Sequence, residues 1–321
     1  MACHPSYKII SILLLMMLNA CSGGPAEKPL PDSLTSPAKL LDQGIYHYNN
    51  NNYANAIHDF EKALLQYRSI DNQPGIANSC LNLAKTYMAI NNNLTATEYL
   101  EKASSIIRQA QLVQLDEHLH LLKSSLAIKN QRYDPALQEL STVLTSKNTV
   151  IKLAALKNRT AIAFLKNDTD KQQWLDKYKT LQNSTPENTS SHLARILRFE
   201  AELTDDENRK QALLRQSLSI SQSHAARTAI AATLTQWSDI DIESKRYSEA
   251  EDKSLRALFI RHQLGDVKNS LTIMEQLKVI YTATDDEKIK PANNWINKLS
   301  AQDFSDWGNL YSDFETYPVS K

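Results

Sequence analysis

The chain has 321 residues, 42% hydrophobic and 22% charged, which is globular in composition and long enough for two compact domains or one solenoid. Its 36 Lys and Arg balance 36 Asp and Glu, so it lacks the overall positive charge of a nucleic-acid binder, although a local basic patch is compatible with that balance. Glycines stand only at 23, 24, 44, 75, 265 and 308, so the stretch between Gly75 and Gly265 excludes a glycine-rich phosphate loop and an Asn-Gly hairpin and reads as helical.

In chain order, Lys8 precedes an apolar run from Ile9 to Leu18, closed by Leu18-Asn19-Ala20-Cys21. The run is too short to span a bilayer and reads as an export signal over residues 1–20. Leu-x-Ala-Cys at the end of such a run resembles the lipobox of bacterial lipoproteins. That resemblance implies that Cys21 is acylated and becomes the mature N-terminus. Ser22, in place of an inner-membrane-retaining aspartate, implies an outer-membrane lipoprotein facing the periplasm. The alternative is an ordinary secretory signal with a chance cysteine. Cys3 would leave with the signal, so the mature chain keeps only Cys80 beside the acylated Cys21. It has no pair for an internal disulfide, and Cys80 reads as a small core residue.

Residues 21–37 carry Gly23, Gly24, Pro25, Pro29, Pro31 and Pro37 with little apolar content, as expected of a disordered, flexible linker with a reach of about 50 Å. From Ala38 the pattern changes. Leu40, Gly44 and His47 precede Tyr53, Ala56, Phe60 and Ala63; Cys80, Ala84 and Tyr87 precede Asn93, Ala96, Leu100 and Ala103. This forty-residue period resembles the tetratricopeptide repeat, in which small residues let two helices of a hairpin cross closely. Gly44 and Ala84 are expected to face Ala56 and Ala96.

Ser124, Tyr133, Ala136, Leu140 and Val143 form a third copy, with Asp134 as a candidate cap and Pro135 in the first turn. Asparagine-rich turns at Asn49–Asn52 and Asn91–Asn93 suit the left-handed backbone that ends a helix. The middle has drifted. Ile151–Leu165 pairs with Trp174–Leu181, with Thr169 and Gln172 as a capping box; Leu193–Leu203 pairs with Arg209–Ile220, with Ala212 near the crossing. The motif returns at Ser238, Tyr247, Ala250 and Ala257, and Leu264-Gly265-Asp266 leads into a last pair ending at Leu299.

The reading is thus all-α: a tetratricopeptide-like solenoid of about seven antiparallel helix pairs. Residues 38–183 form an N-terminal array and 184–299 a C-terminal one, with a seam near Pro186. Residues 300–321, including Phe304, Trp307, Tyr311, Phe314 and Tyr317, read as a capping helix or tail over the last apolar face, with an acidic-aromatic recognition segment as the alternative.

No HExxH, Cys-x2-Cys or His-rich tract occurs, and Glu117 with His120 is a lone helical pair, so no metal site, cofactor or catalytic residue is assigned. The resemblance instead implies a concave groove lined by the first helices. Its positions here are Tyr48, Asn49, Asn78, Leu81, Lys85, Met88, His118, Leu121, Ile128 and Lys129, a mixture of apolar, amide and lysine groups suited to a peptide. The carboxylate clamp of some members is not expected, because Leu41 and Ile45 occupy its positions in the first repeat. The expected function is a non-enzymatic, lipid-anchored adaptor or scaffold for protein–protein interaction. It would bind a periplasmic or outer-membrane protein or peptide in envelope assembly, secretin or pilus biogenesis, or recruitment of cell-wall enzymes, and no nucleic acid. The opposing class is a cell-wall-active enzyme with dispersed sites on a helical solenoid. No oligomeric state follows from the sequence.

Overall fold

The computed structural model describes residues 32–185 and 190–314, apart from 302, 304 and 311. Cys21 and the signal lie outside the described residues, as do Phe304, Tyr311 and Tyr317. Among the described residues there are fourteen α-helices and no strand. They are α1 (Asp32–Asn49), α2 (Tyr53–Ser69), α3 (Gln73–Ala89), α4 (Asn93–Gln109), α5 (Val113–Lys129), α6 (Tyr133–Val143), α7 (Thr149–Leu165), α8 (Lys171–Ser184), α9 (Ser190–Leu203), α10 (Glu207–Ser223), α11 (Arg227–Glu243), α12 (Tyr247–Gln263), α13 (Val267–Thr284) and α14 (Ile289–Ser300). Each odd helix packs on the even helix that follows it, giving seven hairpins. Odd helices also pack on one another: α1 on α3, α3 on α5, α5 on α7, α9 on α11 and α11 on α13. They therefore form the inner layer of the solenoid, and the even helices form the outer one.

The repeat is set by its turns. Asn51, Asp71, Asn91, Gln111 and Gln131 have positive φ, as do Ala225, Lys245, Gly265 and Asp285, each set in steps of twenty residues. The residue after each left-handed position donates its N–H five residues back. Examples are Asn52 to the His47 carbonyl at 2.8 Å, Asn92 to Tyr87 at 2.9 Å and Arg246 to Asp241 at 2.7 Å. This is the Schellman closure that satisfies a helix's last carbonyls. The same residue then starts the next helix: the Asn52, Asn72 and Asn92 side chains accept from the N–H three residues on. A seventeen-residue helix plus such a turn produces the twenty-residue step.

The alanines expected at the crossings, Ala56, Ala96, Ala136 and Ala250, are fully buried, and so is Cys80. Gly44 meets a different neighbour from the one expected. A β-carbon there would lie 2.4 Å from Cε1 of Phe60, so the glycine makes room for that ring. Four further expectations differ. The linker ends earlier than residue 37, because α1 begins at Asp32 and takes Pro37 inside it, where the missing N–H costs one helical bond. The α8 N-cap position is Asp170, not Thr169; its carboxylate makes no cap bond to the backbone and instead takes the Trp174 indole N–H at 2.8 Å. Arg132 caps α6, which places Asp134 in the first turn. Ala212 is exposed; Ala201 and Ser217 are buried in that hairpin instead, Ser217 donating to the Ala194 carbonyl at 2.8 Å.

Beyond α14 the described residues of 303–314 fold over the last hairpin. Leu310 and Phe314 are fully buried in one core with Tyr281, Trp295 and Leu299. The Trp295 indole donates to Asp313 at 2.7 Å, and His262 bonds the Trp307 carbonyl at 2.7 Å. This part of the tail is a cap, built from two 3-10 turns and not from a helix.

Candidate functional site

The inner layer carries the groove positions. Tyr48 is half-buried, its ring 5.6 Å from that of Tyr53, and the Lys85 ammonium lies 4.3 Å from its centroid. This joins the first two hairpins through a cation–π contact. Lys85 is open to water yet has protein around it on several sides, because the surface is concave, and the loss of hydration lowers its pKa. Lys129 donates to the Met88 carbonyl at 2.6 Å, which ties α5 to the end of α3. Leu81 and Met88 are buried, while Asn78, Leu121 and Ile128 are half-buried. Asn49 and His118 are exposed, and His118 bonds its own helix at the Gln114 carbonyl. The structure thus joins Tyr48 with Lys85 and Met88 with Lys129, and leaves Asn49 and His118 outside those contacts.

Two bonds span the inner layer from one end of the chain to the other. The Asn91 amide donates to Asp266 Oδ1 at 3.1 Å, and Lys268 donates to the Lys129 carbonyl at 3.2 Å. The turn after α3 and the end of α5 therefore meet the start of α13. The solenoid curves back on itself and the inner layer faces a lumen.

On that inner layer lies a basic cluster that the sequence reading did not assign. Lys157 of α7 stands three residues before the buried Thr160, and Arg198 of α9 three before the buried Ala201. Leu81 and Leu121 hold the same offset from Ala84 and Ser124, so Lys157 and Arg198 occupy the matching groove position of the fourth and fifth hairpins. Arg195 lies one turn before Arg198. Burial pushes the Lys157 ammonium down to about 8, with Arg195 and Lys85 adding like-charge repulsion. Burial lowers both arginines as well, each under repulsion from Arg261; their ordinary values are high enough that both stay charged. His192 is pushed down to about 4 by burial, Lys157 and Arg195. It is neutral near pH 7, and the Tyr178 hydroxyl lies 2.5 Å from its Nδ1.

With this geometry in view, comparison with known proteins finds one family: residues 77–109 match the tetratricopeptide repeat model. The matched stretch covers most of α3 and all of α4, and includes Asn78, Leu81, Lys85 and Met88. The fold is a tetratricopeptide-like solenoid. No curated protein matches the chain. Repeats of this type mediate protein–protein interaction, so the solenoid is of the kind that binds other proteins. Among its described residues, no group of three or more His, Cys, Asp and Glu is placed to hold a metal ion.

Proposed function

We propose that this protein is a non-enzymatic adaptor that holds a segment of a partner protein in the lumen of its solenoid. In this reading it is tethered by a lipid on Cys21 to the periplasmic face of the outer membrane. The observation that carries the binding half is the inner layer itself. Tyr48, Lys85, Leu121 and Ile128 come from three successive hairpins onto one concave surface, mixing half-buried apolar area with an exposed cation. Such a surface suits an extended or helical peptide, whose side chains take the apolar contacts and whose carbonyls take the ammonium. The anchoring half is supported by Lys8, the Ile9–Leu18 run and Leu-x-Ala-Cys. Envelope assembly, secretin or pilus biogenesis and recruitment of cell-wall enzymes are the pathways that such an address would serve.

A photo-crosslinking residue at Tyr48, introduced in cells, tests the groove. It is expected to capture a discrete envelope protein that the same residue at Leu65 does not, since Leu65 is 64% exposed on the outer layer. Identical products from both positions would move the binding surface off the lumen. Cys21→Ser tests the anchor and is expected to release the chain from the membrane fraction or stall its processing, because lipid attachment supplies the membrane affinity. Unaltered fractionation with the outer membrane would refute the lipid reading.

A further inference from the structure

The basic cluster of the lumen is under-compensated. Among the described residues, Lys85, Lys157, Arg195 and Arg198 have no carboxylate within ion-pair distance, whereas Arg261 beside them is paired with Asp266 at 2.9 Å. Among the described residues there are fourteen ion pairs or His–carboxylate pairs, that of Arg261 included, so carboxylates are in supply and are placed elsewhere. Arg198 also has a buried Nε with no hydrogen-bond partner. Gathering like charges on a partly desolvated surface works against folding unless a ligand of opposite charge is met there. The three cations of α7 and α9 are carried on successive inner helices, and Lys85 acts on Lys157 electrostatically from α3. They are therefore spread along the lumen and continue the apolar and amide surface of the first hairpins.

Resting on the adaptor reading above, we propose that the surface formed by Lys157, Arg195 and Arg198, together with Lys85, receives an acidic peptide segment of the partner, whose carboxylates sit opposite these cations. Charge complementarity is the argument for this occupant. The spread of the cations over three helices suits carboxylates spaced along an extended chain, and the half-buried Tyr48 beside Lys85 offers apolar contact. Arginine contributes its planar fork for two-point contact with a carboxylate.

The test is fluorescence anisotropy with the full-length chain in detergent. The probes are a labelled peptide of alternating glutamate and alanine, the same peptide with every glutamate replaced by glutamine, and inorganic pyrophosphate as competitor. The glutamate peptide is expected to bind and to weaken steeply with added salt. Lys157→Gln with Arg198→Gln is expected to weaken it by about tenfold or more, and the charge-preserving Lys157→Arg with Arg198→Lys by much less. Circular dichroism of each variant establishes that it is folded before its binding is read. Equal binding of the glutamate and glutamine peptides, untouched by the variants, would overturn the acidic inference and leave the groove reading standing. Binding of pyrophosphate in isothermal titration calorimetry with the same variant dependence, and none of the glutamate peptide, would make this a phosphate site and overturn it as well. Binding of neither would also overturn it; the groove reading is judged separately, by the crosslink from Tyr48.

Discussion

Asn91 donates its side-chain amide to Asp266 at 3.1 Å across 175 residues of sequence. Asn91 is itself left-handed, with φ 63°, so the residue that ends α3 also fastens the turn to the far side of the solenoid. Asp266 is equally occupied. It caps α13 through the Asn269 N–H and pairs with the buried Arg261.

Asn91→Gly should open the lumen without disturbing the turn, because glycine accepts the left-handed backbone and removes only the amide. The cost is expected to be about 1 kcal/mol, the worth of one hydrogen bond. A larger radius of gyration in solution scattering and faster amide exchange around Val267–Asn269 are the readouts.

The lumen cations predict two pH effects. His192 has its folded pKa depressed from 6.5 to about 4, so the unfolded chain binds the proton more readily and stability falls as pH drops from 6.5 towards 4. His192→Asn, which keeps an acceptor for Tyr178, should flatten that limb. Lys157 is depressed from 10.5 to about 8, so stability from this group rises as pH goes from 8 to 10.5. Lys157→Met should abolish the rise and raise the melting temperature at pH 7, by about 1 to 2 kcal/mol in stability. Denaturant melts at stepped pH check both.

Overpacking at the helix crossings should be costly. Gly44→Ala places a methyl against the Phe60 ring, and Ala96→Leu fills a fully buried site; each is expected to cost about 1 to 3 kcal/mol. Ala54 is exposed, so Ala54→Leu should leave the melting temperature nearly unchanged.

Phe314→Ala should uncover the end of the solenoid. Its ring is 1% exposed and stacks 6.3 Å from that of Tyr281, so truncation is expected to cost about 3 to 5 kcal/mol. Proteolysis of α14 would be expected to increase alongside.

Ala225 is left-handed with φ 48° at a turn where glycine carries no steric penalty. Ala225→Gly should stabilise the protein by about 0.5 to 1 kcal/mol, since the strain removed exceeds the entropy added to the unfolded chain. Thermal melts of the two chains side by side are sufficient.

Local chemistry alone was enough to set the helix pairs. Alternation of Ala56, Phe60 and Ala63 at helical spacing marks a buried stripe, and Asn-rich punctuation marks its ends, because both depend on residues within one or two turns. The same marks fade where Ser217 and Thr160 stand in place of alanine, and Ser254 in place of the Phe or Leu of earlier repeats, at buried positions; Ser217, for one, is satisfied there by the Ala194 carbonyl, a bond that no pattern of hydrophobicity announces. The capping-box reading at Thr169 failed for a related reason: the choice between Thr169 and Asp170 turned on Trp174 and Arg159, which compete for the same carboxylate.

The sequence by itself determined an all-helical, seven-hairpin chain and most of the small residues at its crossings. Those follow from the periodicity of the α-helix and the size of a side chain, which act over short distances. Only the tertiary structure decided that the solenoid turns far enough for Asn91 to reach Asp266, that Lys85 lies over Tyr48, and that Lys157, Arg195 and Arg198 lie on the inner layer with no carboxylate within ion-pair distance. The curvature of a solenoid is the sum of small rotations between neighbouring repeats, and no single repeat contains that sum; charges far apart in the chain come together only when it is complete.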